Sequence, residues 1–564
     1  MAGTGGLVLF SMARSTVALA ADRAFKYSSA RATFTEGTTL HEVATPASST
    51  GYRRLKAGPG YPLLVREDLA SVRSSRDGRT GLASFVQFTD LHLIDAQSPM
   101  RFEYMVDLDP SAFRPHESMG THATAQLVQK VNLLGAGPIS GRAFDCVVTT
   151  GDNSDNNEAI EMEWFLSVMN GGTIAQNTGS SIEWEGVQSS GKRKFYNPEL
   201  EVRDDYKAAG FPQIEKFFSR VMRPHTSEGL KFPWYSVFGN HDDSIGGTIP
   251  ANWTSLSEVY TGNTKFQGFN EDEGNDAIEA AFRGDTPSRT RARGRLRDHW
   301  EITPDERRRP FTPKEFIAAH LAETATGPGP IGHGFSPEAA TTGDAFYTFE
   351  ISPGVTGVAL DSTNRSGYKD GSLSERQFTW LEDVLKAGCS TYYDTFGTRV
   401  TQFVEDRYFV LFSHHTIHTM KNRTPDPGVP GDIRHLGSEV SALVHRFPNV
   451  VAWINGHTHS NSITAHHGAS PQQSFWEINT ASHIEFPQQA RVIELCDNRD
   501  GTLSLFTTLI ESAAPYEASY SAGDQASLGS LYREFSANDL NYSASHAGHP
   551  LDHNTELLLV DPLI

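Results

Sequence analysis

The chain has 564 residues, of which 38% are hydrophobic and 21% charged, enough apolar mass for one large domain or two to three ordinary ones, which excludes wholesale disorder. A formal net charge of −20 excludes a basic nucleic-acid groove, and three cysteines (Cys146, Cys389, Cys496) are too few for a disulfide framework or a cysteine-built zinc site. No run approaches the roughly 18 apolar residues of a membrane span, and any metal must be held by Asp, Glu, Asn and the 22 histidines.

Residues 1–21 read as the remnant of an export leader. Leu7 to Met12 is apolar and Ala18-Leu19-Ala20 resembles a cleavage site, although a basic start and an Arg-Arg pair are missing. The expected destination is the periplasm, the cell wall or the medium, the alternative being a disordered leader on a cytoplasmic protein. Residues 22–82 form a polar N-terminal arm.

From there a single event recurs: a short β-prone run stops at residues able to hold a metal. Ser84 to Thr89 ends at Asp90 and His92. Phe144 to Thr150 ends at Gly151-Asp152. Trp234 to Phe238 ends at Gly239-Asn240-His241-Asp242. Phe409 to Phe412 ends at Ser413-His414-His415, and Val450 to Ile454 at Asn455-Gly456-His457-Thr458-His459. Sites in open α/β sheets gather beyond the carboxyl ends of strands, so the five runs predict one shared site.

Helices are predicted between them. Residues 122–134 place Ala123, Leu127, Val131 and Leu134 on one face before Gly135, and residues 158–169 start after Asn156 or Asn157 as N-cap. Ser374-Glu375-Arg376-Gln377 has the capping-box pattern, and Ser352-Pro353-Gly354 joins two strands of a hairpin. Two stretches, about 170–231 and 251–343, break this rhythm and read as insertions at the rim of the site. The second carries Arg289, Arg291, Arg293, Arg295, Arg297 and Arg307 to Arg309, either a solvated salt-bridged face or a contact for an anionic substrate. Residues 511–564 form a C-terminal extension, in which residues 530–564 are a polar tail with a short apolar run, Leu557 to Val560, expected as an edge strand or a docked segment. Cys389 and Cys496 could pair in an oxidising compartment.

Taken singly these motifs are common. Taken in order, Asp90-x-His92, Gly151-Asp152, Gly239-Asn240-His241-Asp242, His414 and Gly456-His457-x-His459 resemble the calcineurin-like metallophosphoesterase superfamily, which includes purple acid phosphatases and phosphodiesterases. The resemblance spans about residues 83–510 and includes Gly371-Ser372-Leu373 through Trp380-Leu381. It implies a four-layer α/β/β/α sandwich with long insertions. It also implies two divalent or trivalent metal ions (Mn, Zn or Fe), the first on Asp90, His92 and His459, the second on Asn240, His414 and His457, with Asp152 bridging. A metal-activated hydroxide would attack phosphorus in line, and His241 would contact the phosphoryl group and protonate the leaving alkoxide, the alternative being a histidine held by Asp242 behind the ligands. Hard carboxylate oxygens with imidazole nitrogens suit such ions in their own right. Where purple acid phosphatases carry a tyrosine, three residues after the bridging aspartate, this chain has Asp155, so no tyrosinate colour is expected.

Asn156, His415 and His483 are candidate substrate contacts, and Asp95 and Arg101 are similar candidates. The expected partner is a small phosphoester, as a phosphomonoesterase or phosphodiesterase substrate, with no nucleic acid and no integral membrane segment. Nucleotide or pyrophosphate hydrolysis at the same centre, and metal binding without turnover, stay open, as does the oligomeric state.

Overall fold

The structure is a computed structural model that describes residues 25–71, 78–106, 109–250, 257–269, 296–541 and 543–564. The predicted leader, the arginines at 289, 291, 293 and 295 and the side chain of Arg297 lie outside the described residues. Two large sheets dominate. Their strands, in chain order, are β1 (Leu64–Arg66), β2 (Thr80–Phe88), β3 (Cys146–Thr150), β4 (Trp234–Val237), β5 (Tyr347–Ser352), β6 (Val355–Ala359), β7 (Tyr408–Phe412), β8 (Val450–Asn455), β9 (Ser462–His466), β10 (Phe475–Asn479), β11 (Gln489–Asp497), β12 (Thr502–Glu511) and β13 (Thr555–Val560). The first sheet runs β1-β13-β12-β11-β2-β3-β4 and the second β5-β6-β7-β8-β10-β9. Within the first, β2, β3 and β4 are parallel neighbours. Within the second, β6, β7, β8 and β10 are parallel. Each sheet therefore delivers several carboxyl ends to one edge.

Side-chain alternation along the strands explains the layers. On β2, Ala83 and Phe85 join Val410 and Phe412 of β7 in a core between the sheets, and the rings of Phe85 and Phe412 meet edge to face at 5.6 Å. Val86 and Phe88 point the other way, onto α1 (Gly120–Leu134) and α2 (Ala159–Asn170). Phe409 and Leu411 likewise turn outward, onto α3 (Glu375–Ala387) and α4 (Gly437–Val444). The result is the expected α/β/β/α order.

Local signals hold with two corrections. Helix α1 ends on Gly135 in the left-handed region, and β5 and β6 form the predicted hairpin. Neither Asn156 nor Asn157 caps α2. The cap is Glu158, because the Glu161 carboxylate draws in the N–H groups of Asp155, Asn156 and Glu158, an anion placed at a helix N-terminus. Ser374 caps α3 through Gln377 N at 3.3 Å, but Gln377 does not complete the box. Its amide instead brackets the Asp361 backbone, accepting from N at 2.8 Å and donating to O at 2.6 Å.

The stretch at 170–231 is polar in composition yet owns an apolar core. Trp184, Phe195, Tyr196, Tyr206, Phe211 and Phe217 pack against Leu531 and Phe535 of α5 (Gln525–Ala537). The run Leu557 to Val560 belongs to β13, which lies inside the first sheet between β1 and β12 and not at its edge. All three cysteines are buried, free and in separate clusters, so Cys389 and Cys496 do not pair. Among the described residues no helix is long and apolar enough to cross a membrane.

Candidate metal centre

The carboxyl ends of β2, β3, β4, β7 and β8 meet where the two sheets face each other. Four overlapping groups gather ligand-type atoms within 4.8 Å of one another: Asp90, His92 and His459; Asp90, Asp152 and His414; His92, Asp152 and His241; His414, His415 and His457. His457 joins through His414, with Nδ1 3.2 Å from His414 Nε2. Across the centre, His414 Nε2 lies 3.1 Å and His92 Nε2 3.7 Å from Asp152 Oδ2, and His459 Nε2 lies 3.3 Å from Asp90 Oδ1. Donor atoms that share an ion at about 2.0–2.2 Å are separated by distances of this order. Asn240 sits on the one-turn helix Asn240–Asp243, and its Oδ1 is buried with no hydrogen-bond partner.

The backbone here is unusual. Asp90 (φ 49°), His92 (φ 42°), Asp152 (φ 52°), His457 (φ 69°) and His459 (φ 54°) all occupy the left-handed region, which costs a residue with a side chain about 1–2 kcal/mol. Such conformations persist only where surrounding contacts enforce them. Asp90 N donates to Gly151 O and His92 N to Asp152 O, tying the ends of β2 and β3 together. His457 N donates to the Asp90 carboxylate across the two sheets. Close approach also accounts for the glycines before the predicted ligands. A Cβ on Gly151 would stand 2.8 Å from His414 Nδ1, one on Gly239 would strike Asp152, and one on Gly456 would strike Thr89 and Asp90.

The imidazoles are oriented from behind. His414 Nδ1 donates to Thr150 O at 2.8 Å, which turns Nε2 toward Asp152. His92 Nδ1 pairs with Asp155 Oδ1 at 2.7 Å, and Arg101 grips the other Asp155 oxygen at 2.5 Å. His459 Nδ1 pairs with Glu485 Oε2 at 2.9 Å, and Arg114 holds Glu485 Oε1 with two N–H groups at 2.6 and 2.9 Å. Carboxylate–histidine pairs of this kind fix ring and tautomer at metal sites. His241 N donates to Asp152 Oδ1 at 2.8 Å and its Nδ1 donates to Asp155 O at 2.7 Å. Asp242 does not touch that ring. It collects N–H groups from Gly239, Asn153 and Ser154 and so braces the Asp152 turn.

Charge follows geometry. Burial pushes the His414 and His459 imidazoles down, but Asp152 and Asp90 around the first, and Glu485 and Asp90 around the second, outweigh it and hold them up at about 9 and about 10. Burial takes His92 down to about 4. Burial alone would raise the Asp152 carboxyl, yet His414 and His241 bring it well below the usual range. The carboxylates between the sheets thus demand positive charge at this point.

Three predicted substrate contacts are not available to a substrate. Asn156 is buried, with its amide on Glu161 Oε1 at 2.6 Å. His415 is buried with both nitrogens engaged, Nδ1 with Ser362 Oγ and Nε2 with Lys369 O, each at 2.9 Å. His483 is buried and stacked on Tyr532 of α5. Asp95 and Arg308 pair at 3.1 Å, Arg307 pairs with Asp305 and Arg309 with Glu315, so these groups brace the insertions. By contrast the His241 side chain keeps 21% of its surface exposed. Sequence reasoning missed Glu485 and Arg114, and gave Asp155 no role beyond replacing a tyrosine. Glu485 follows β10, a parallel strand whose end obeys the same rule as the others.

No protein-family model matches the chain, and no curated protein does. Among solved structures it is similar to a dimetal phosphatase from Danio rerio, at 11% identity over 77% of this chain and 100% of that one, with a TM-score of 0.33. It is also similar to purple acid phosphatase PPD1 from yellow lupin (Lupinus luteus) seeds, at 11% identity over 81% of this chain and 57% of that one, with a TM-score of 0.28. Overlap at this level is partial, and the chemistry has to be read from the side chains of this chain.

Proposed function

We propose that the chain is a metal-dependent phosphoester hydrolase of the calcineurin-like metallophosphoesterase type. The observation that carries the reading is the meeting of Asp90, His92, Asp152, His414, His457 and His459 at the facing carboxyl ends of two sheets. Asp152 belongs to one group with Asp90 and His414 and to another with His92 and His241, as a residue shared by two cations would. The donor set fits: oxygen and imidazole nitrogen suit Mn, Zn or Fe ions, and the orphaned Asn240 Oδ1 is a buried acceptor in want of a cation. Asp90, His92 and His459 would hold one ion, Asn240, His414 and His457 the other, and Asp152 both. When bound, such a pair supplies Lewis acidity and an activated water nucleophile.

The remaining steps belong to the protein. The glycine-backed turns and the bracing carboxylates keep the ligands fixed. His241, the half-open member, has Nδ1 committed to Asp155 O, so Nε2 is the atom that carries a proton to a departing alkoxide. The substrate under this reading is a phosphomonoester or a phosphodiester.

The test is to strip the protein with chelator, reload it with Mn²⁺ or Zn²⁺, and measure ions per chain together with hydrolysis of an aryl phosphate and an aryl phosphodiester. Two ions per chain and turnover of at least one ester are expected. Failure to bind any cation would overturn the reading, as would binding without turnover of either ester, which would favour a metal-binding role without phosphoester hydrolysis.

A further inference from the structure

Directly after the one-turn helix that carries Asn240 and His241, the chain makes a tight turn at Gly246 (φ 54°) and Gly247 (φ 65°), flanked by the paired residues Ser244–Ile245 and Ile249–Pro250. Asn240 Nδ2 donates to Gly247 O at 3.0 Å. A side-chain amide has one donor end and one acceptor end. With the donor end committed to a carbonyl, the acceptor end is fixed as the opposite atom, and that atom is the buried, unpartnered Oδ1. The same residue also limits the neighbouring ring. A Cβ on Gly247 would stand 2.5 Å from His241 Nε2 and would strike His241 Cδ2 and Asn240 Nδ2. Gly246 shares the left-handed backbone, but a Cβ there would meet only Phe102 at an ordinary 3.5 Å.

We propose that Gly247 is a positioning residue that sets two side chains at once: its carbonyl turns Asn240 Oδ1 to the cation, and its missing side chain leaves room for His241 Nε2. The inference rests on the function proposed above, in which Asn240 is a ligand and His241 the proton donor. It goes further by assigning both orientations to one residue that is neither ligand nor acid.

The experiment compares the full-length wild type with Gly247→Ala and Gly246→Ala, each reloaded with Mn²⁺ and freed of excess ion. Three quantities are read: ions per chain, melting temperature, and the ratio of rates for aryl and alkyl phosphoesters. Gly246→Ala carries the same backbone strain and is expected to keep two ions and the wild-type rate ratio. Gly247→Ala is expected to fall toward one ion per chain and to lose roughly tenfold more rate with the alkyl ester than with the aryl ester, because a poor leaving group depends most on a placed proton donor. Two ions with the wild-type ratio in Gly247→Ala would overturn the proposal, as would equal ion loss in the two variants. A wild type that binds no cation would bring down the functional reading itself, and this inference with it. Should Gly247→Ala not fold, Gly367→Ala presses the same turn from outside, since its Cβ would stand 2.7 Å from Thr248 O and Pro250 Cδ. A lowered occupancy in that variant supports the proposal, and full occupancy with an unchanged ratio overturns it.

Discussion

The two sheets contribute unlike halves to the centre. The first supplies both carboxylates, Asp90 and Asp152, along with His92, Asn240 and His241, whereas the second supplies imidazoles alone, His414, His457 and His459. The bracing differs as well. Side chains of the first half lean on buried groups of their own sheet's loops, with Asp155 on His92 and Asp242 beneath the Asp152 turn. In the second half His414 leans on Thr150 O of β3, and His459 on Glu485, which is held by Arg114 from the loop before α1. The first half brings the negative charge and the second brings imidazoles, of which His414 takes its orientation from the partner sheet. The centre is therefore a product of sheet-on-sheet packing, and neither sheet holds it alone.

Asp152→Asn tests the junction most severely. Both ion positions are expected to weaken, with hydrolysis down by at least roughly a thousandfold, the scale of losing several kcal/mol of charge stabilisation. Loss of a single ion, read by elemental analysis, would mean the halves are separable. His241→Asn is expected to keep both ions while lowering the rate about a hundredfold or more for alkyl esters. An equal loss for aryl esters would remove its acid role. Glu485→Gln addresses the second half alone. Releasing His459 from its carboxylate should weaken one ion by about 10–100-fold in a competitive chelator titration, leaving the other unchanged. The smallest effect on activity is expected at a side chain whose hydrogen bonds reach none of the candidate ligands. Lys265 is fully buried, with Nζ on Ser98 O at 2.6 Å and on Glu103 at 3.0 Å, and Lys265→Met would strand a buried acid. A destabilisation of about 3 kcal/mol in denaturant melts is expected, with ion content at the wild-type level. A fall in ion content there would show that the insertions help to hold the centre.

The candidate ligands were legible in the sequence because each follows a short apolar strand, and a strand end is a local signal. The α/β character was legible for the same reason, strand runs with amphipathic helices between them, whereas the four-layer order came only with the resemblance that the motifs carry. What escaped is what depends on distance along the chain. Arg114 and Glu485 are 371 positions apart, and no pattern announces their pairing. His415 directly follows a candidate ligand and Asn156 shares the turn after Asp152, but nearness in sequence does not set the direction a side chain faces, and each found its partners inside the protein. His483 failed similarly, since α5 comes from the C-terminal extension to cover it. The aromatic core of residues 170–231 was hidden because its apolar residues are dispersed among polar ones and lack a helical or strand period.

The place of β13 has a consequence for biosynthesis. This strand separates β1 from β12, so Leu64 to Arg66 has nothing in the first sheet to pair with until residue 555 and its neighbours emerge from the ribosome. A nascent chain already carrying every candidate ion-binding side chain still lacks the strand that joins Leu64–Arg66 to β12. Arrest or nicking ahead of that point should yield polypeptides with a complete set of donors and an unsealed sheet, the species a chaperone or protease would be expected to encounter.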